Sequence, residues 1–117
     1  MDEMAEYSRQ YTQEHARQLL YVNNLAFFCV AMTRELYQKI GGLDERFGQG
    51  FFEDDDYCQR ACAASAKVAI AEDVFVHHHL SASFDKLGDK RKQELFARNK
   101  KLYEEKWGKW EPHSYRQ

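Results

Sequence analysis

Apolar positions change period several times along the chain. Met4, Tyr7, Tyr11, His15 and Leu19 recur at helical spacing, which predicts an amphipathic helix over residues 3–19. Residues 25–32, LAFFCVAM, form a dense apolar run suited to a buried strand. Thr33 can cap a short helix carrying Leu36, Tyr37 and Ile40, which Gly41-Gly42 then stops. Residues 43–50 read as a loop whose glycines permit sharp bends. From about Asp54 to Ser65, the spacing of Tyr57, Ala61, Cys62 and Ala64 predicts a helix with a small-residue face, fit for close packing on a sheet. Residues 68–71 and 74–76 are short strand candidates, the second running into His77-His78-His79. Leu95, Phe96, Leu102, Tyr103 and Trp107 on a charged background predict a long helix over 86–107. The expectation is an α/β fold in which strands at 25–32 and 74–79 share one small mixed sheet packed by the helices at 54–65 and 86–107.

Composition bounds this picture. A chain of 117 residues, 44% hydrophobic with one proline, has enough material for one compact core and too little for two. A net charge of −2 leaves no basic face for nucleic acid and no polybasic patch for a membrane. The opening Met1-Asp2-Glu3 has the wrong charge for a secretory signal. The uncharged run from Gln18 to Thr33 is interrupted by Asn23-Asn24 and is too short to span a bilayer. A soluble, cytoplasmic chain with no transmembrane segment is therefore expected. Cys29, Cys58 and Cys62 make no CxxC pair, so reduced thiols are the simplest reading, with Cys58 and Cys62 as buried small hydrophobes rather than zinc ligands.

The stretch GFFEDDDYCQR, residues 50–60, raises the chemical question. A helix N-terminus stabilises a nearby acid by about 0.3–1 kcal/mol. Neighbouring exposed carboxylates about 6 Å apart repel by roughly 0.7 kcal/mol per pair in water, and by more where the dielectric falls. Capping accounts for one or two of Glu53, Asp54, Asp55 and Asp56; four in a row call for a cation, a proton or a polar substrate. Farther on, His77, His78 and His79 could bring imidazole to an acid cluster as a site for manganese or magnesium, or simply bond nearby backbone. Alternation along a strand allows His77 with His79, or His78 alone, on one face. Ser81 is open in the same way, as a helix cap or as a hydroxyl contact for a sugar or phosphate.

The order of these pieces resembles the C-terminal half of the glycosyltransferase family 2 domain, of the type found in O-antigen and rhamnose-transferring enzymes. FFCVAMTRE, KIGGLDERFGQGFFEDDDYCQRA and VFVHHHLSASF follow the family's buried strand, "GGxDExF" loop, "fEDxDxcxR" motif and strand ending in "HH" before "SxSF". The likeness covers about residues 25–84, and the closing KWGKW is similar to the same subgroup's tail. It implies a partial GT-A fold and inverting transfer of a sugar from a nucleotide-activated donor to a carbohydrate acceptor. Asp54 would be the base that deprotonates the acceptor hydroxyl, with Glu53 beside it; crowding by Glu53, Asp55 and Asp56 would raise its pKa. Asp56, Arg60 and Ser81 would serve the acceptor side, Asp56 and Arg60 also holding helix to loop through an i, i+4 ion pair. His78 would contact metal or phosphate.

Residues before Leu25 do not correspond to the family's nucleotide-binding half, whose DxD motif holds the divalent metal, Mn or Mg, and the donor diphosphate. The chain is thus expected to be one domain, the acceptor-side portion of such an enzyme, inactive without the donor-binding half. An exposed apolar sheet edge inviting self-association follows. A non-catalytic cation-binding or assembly module on the same fold is the alternative.

Overall fold

The computed structural model describes residues 3–48, 50–74 and 88–112. They fold as helix α1 (Glu3–Glu14), strand β1 (Leu19–Val22), helix α2 (Arg34–Ile40), a 3-10 turn (Glu45–Phe47), helix α3 (Glu53–Ala63), strand β2 (Val68–Ala71) and helix α4 (Asp89–Trp107). The architecture is mixed α/β, with four α-helices and one two-stranded sheet among the described residues.

Among the described residues the sheet lacks the strand expected at 25–32. Its strands are β1 and β2, antiparallel, with Leu19 opposite Ala71 and Val22 opposite Val68. Residues 25–32 are not a strand. Apolar density drives a segment toward a core but does not supply a hydrogen-bonding neighbour, and here β2 pairs with the stretch six residues earlier. Residues 25–32 instead form one wall of an apolar groove of about 630 Å³, opposite β2 and Tyr57, Cys58 and Ala61 of α3. Much of the run is open to solvent, as at Phe28, Val30 and Met32. The strand expected over 74–76 and its histidines fall outside the described residues, apart from Val74.

The first helix is shorter than its apolar spacing predicts. It stops at Glu14, and Arg17 takes a left-handed φ of 62° that redirects the chain, so Leu19 opens β1 instead of extending α1. Tyr11 donates its hydroxyl to buried Glu72 at 2.6 Å, and Arg17 donates its backbone N–H to Asp73 at 3.0 Å. These bonds tie α1 and its exit to the turn after β2.

Helix α2 begins and ends as its sequence predicts. The Thr33 hydroxyl accepts the Leu36 N–H at 3.1 Å, and Gly41, at φ 80°, returns its N–H to the Tyr37 carbonyl. The last carbonyls of this helix are collected by α3. Arg60 donates to Ile40 O at 2.8 Å and Gly42 O at 2.6 Å, and Tyr57 donates its hydroxyl to Gly41 O at 2.7 Å. A cation at a helix C-terminus is favourable both for its hydrogen bonds and for the dipole. The core lies between α3, α4 and the 47–52 loop: Phe47, Phe52 and Tyr103 are buried there, with Phe51, Leu102, Trp107 and Trp110 packed around them.

Candidate functional site

The acidic run opens α3, where exposed backbone N–H groups favour negative charge. The approach to it is unusual. Phe51 and Phe52 both have left-handed backbones, φ 67° and 71°. For L residues that conformation costs roughly 1–2 kcal/mol each. Two features offset the cost. The Phe52 ring is buried against Tyr103, Phe96 and Trp110 at centroid distances of 5.8, 5.1 and 5.1 Å. Asn99, fully buried on α4, points its side-chain amide into the loop and donates to the carbonyls of Phe47 (2.7 Å), Gly50 and Phe51 (3.0 Å).

The four acids have four different environments. Asp56 is wholly buried and is a hub: its Oδ2 accepts Arg60 Nε at 3.2 Å, and its Oδ1 accepts Trp107 Nε1 at 2.7 Å and Lys106 Nζ at 2.6 Å. The i, i+4 ion pair expected between Asp56 and Arg60 is present. Lys106 also reaches Asp44 at 3.1 Å, so one ammonium joins the GGLDERF loop to the acidic helix. The Asp44 carboxyl is held far below the usual carboxylate range, first by the Arg46 guanidinium. Asp55, also buried, accepts the Trp110 indole N–H at 2.9 Å.

Asp54 is half-buried and turned the other way. Successive residues advance about 100° around a helix, which places Asp54 roughly opposite Asp56. Its Oδ2 accepts the Phe27 N–H at 3.2 Å and its Oδ1 the Asp55 N–H at 2.8 Å. It therefore tethers the 25–32 segment to α3. Glu53 differs again. Its Oε2 is buried and has no hydrogen-bond partner among the described residues. Its pKa is pushed up, chiefly by burial and then by the charges of Asp54 and Asp55.

His78 and Ser81 lie outside the described residues, so a cleft shared by Asp54 and His78 lies outside them as well. Among the described residues no three His, Cys, Asp or Glu side chains gather as a metal site. Asp44, Asp55 and Asp56 already hold arginine, lysine and indole donors, so this cluster does not suit a divalent ion. Cys58 is buried as expected, and burial pushes its thiol up to about 11. Cys62, expected to be buried beside it, is exposed.

Asn99, Lys106, Trp107 and Trp110 act on the acidic run although the sequence pattern offers them only as parts of a charged helix and its tail. One usable signal exists: indole N–H groups seek acceptors when their rings are buried, and the chain's two tryptophans stand three residues apart, behind a run of acids. Comparison with family models, curated proteins and solved structures returned no match for this chain. Among the described residues no helix is long and apolar enough to cross a membrane.

Proposed function

We propose that this chain is the acceptor-side portion of an inverting, GT-A type glycosyltransferase of family 2, acting on a nucleotide-activated sugar and a carbohydrate acceptor. The motif order from residues 25 to 84 supports the reading, and one structural observation carries it. Of four adjacent carboxylates, Asp56 is held from α4 and Asp55 by Trp110 just beyond it, while Glu53, next to a strained, clamped loop, has a buried oxygen with no hydrogen-bond partner among the described residues. Asp54 is the base in this reading. It takes the proton of the acceptor hydroxyl as that oxygen attacks the anomeric carbon, and the nucleoside diphosphate leaves from the opposite face with the bonding electrons.

A specific observation favours a second assignment within the same chemistry. Glu53 has a pKa raised above the ordinary value and an unpartnered buried oxygen, both of which favour it as the group that takes up a proton. Asp56 and Arg60 hold α3 to the loops in either case. His78 and the divalent cation that the resemblance implies belong to the donor side of this reading, and Ser81 to the acceptor side. Self-association through the exposed apolar residues of β1, Leu19 and Tyr21, belongs to it too.

The test is direct: a protein containing this chain is supplied with a panel of nucleotide sugars and oligosaccharide acceptors, with manganese or magnesium, and product is followed by mass spectrometry. Transfer with inversion at the anomeric carbon is expected. Absence of transfer with every donor, while the same protein binds a cation or an assembly partner, would favour the non-catalytic module.

A further inference from the structure

Trp110 lies just beyond α4 and is fixed from three directions. Its backbone N–H donates to Glu104 at 3.0 Å, and its ring meets Phe52 and Phe96 edge-on at 5.1 and 6.0 Å. The indole N–H is thereby delivered to Oδ2 of Asp55. Phe52, which the ring packs against, immediately precedes Glu53. The same side chain thus touches the residue before the acidic run and bonds the third acid in it. A phenyl ring could fill the space; an N–H donor is needed only for the carboxylate.

We propose that Trp110 is a positioning residue for the acidic start of α3: its indole N–H holds the Asp55 carboxylate and so fixes the charge beside Glu53 and Asp54, the acids assigned above to the acceptor's proton. This inference rests on the acceptor-side reading. Its physical consequence can be read without any reaction. Burial raises the Glu53 pKa most, the charge of Asp54 next and that of Asp55 last, so fixing Asp55 in place also fixes its smaller share of the effect on Glu53. A carboxylate held less closely beside Glu53 acts on it over a longer distance and therefore more weakly.

Trp110→Phe keeps a ring against Phe52 and Phe96 and removes the donor. The side-chain carboxyl of Glu53 is titrated by carbon-13 NMR in the unaltered chain, in Trp110→Phe, in Asp55→Asn and in the double variant. Both single variants should lower the Glu53 midpoint, and the double variant should lower it no further than Asp55→Asn alone. A midpoint unmoved by Trp110→Phe but lowered by Asp55→Asn overturns the proposal, because Asp55 then acts without the indole. Should Trp110→Phe fail to fold, the Trp110 indole N–H proton is followed by NMR in Asp55→Asn: a resonance moved by loss of the carboxylate supports the proposal, and an unmoved one overturns it. In transfer assays, Trp110→Phe should lower kcat about 10-fold or more with donor KM unchanged, since small misplacements of reacting groups are costly. If the unaltered protein transfers no sugar, the acceptor-side reading fails while the titration still decides the role of Trp110.

Discussion

Trp107 donates its indole N–H to Oδ1 of Asp56 at 2.7 Å, joining residues 51 positions apart. The ammonium of Lys106 reaches the same oxygen at 2.6 Å. A fully buried carboxylate is tolerated here because three donors from two helices surround it; with fewer it would lack compensation for lost hydration.

That arrangement predicts a ranking of stabilities. Asp56→Asn removes the charge at the hub and leaves Arg60 and Lys106 facing an amide, which should cost about 3–5 kcal/mol. Lys106→Met leaves Asp56 with Arg60 and Trp107 and should cost less, about 1–3 kcal/mol. Urea unfolding of both variants checks this. Equal midpoints for Lys106→Met and the unaltered chain would show that the ammonium contributes nothing.

Asn99 should prove as important to the loop. Replacing it with Ala strands the carbonyls of Phe47, Gly50 and Phe51 without their donor, an expected loss of about 1–3 kcal/mol. Because Phe51 and Phe52 sit in strained left-handed conformations, the loss should be local as well as global. Amide exchange of Phe51 and Phe52 should speed up more in Asn99→Ala than exchange within α2. Uniform acceleration across the chain would contradict a clamp specific to the loop.

The parts legible in the sequence were those specified by local chemistry. Thr33 and Gly41 bound α2 because a hydroxyl cap and a left-handed glycine act within four residues. Helices α3 and α4 follow from side-chain period, and the Asp56–Arg60 pair follows from i, i+4 geometry. The failures have a common origin in long-range pairing. Residues 25–32 carry the apolar signal of a strand, but β2 pairs with residues 19–22. The division of the acidic run was hidden as well, because it depends on Asn99, Trp107 and Trp110 arriving from α4 and its tail. Cys62 faces solvent although four-residue spacing puts it near Cys58, since packing and not spacing decides which side of α3 is covered.

The raised pKa of Glu53 has a definite sign for stability. Its folded-state value lies above the ordinary 4.5, so the folded chain binds this proton more tightly than the unfolded chain does. Burying the charged form is then a penalty that is complete above the folded pKa. It fades as pH falls through that value and is gone below the unfolded one. Glu53→Gln should therefore unfold at higher urea than the unaltered chain at pH 7, with the gap closing as pH falls toward about 4. A gap that persists or widens in acid would contradict the assignment.

Leu19 and Tyr21 on β1 and the neighbouring Phe28 and Val30 present apolar surface to water. Sedimentation velocity of the isolated chain should show concentration-dependent association. Tyr21→Ser combined with Phe28→Ser should move it toward monomer. A chain that stays monomeric over the same concentrations would remove self-association from the account.

The central claim, that the proton acceptor lies in the Glu53–Asp54 pair and not elsewhere in the acidic run, is tested most directly by comparing sugar transfer in four variants. Glu53→Gln, Asp54→Asn, Asp55→Asn and Trp110→Phe are assayed in a protein containing this chain, with donor affinity measured alongside. Removal of a positioned base costs about 10²- to 10⁴-fold in rate. The account predicts a loss of that size for Asp54→Asn, or for Glu53→Gln if Glu53 takes the proton. Donor binding should be unchanged, and the losses for Asp55→Asn and Trp110→Phe should be nearer 10-fold. The claim is contradicted if Glu53→Gln and Asp54→Asn both keep more than about a tenth of the rate, or if Asp55→Asn is the most damaged of the four.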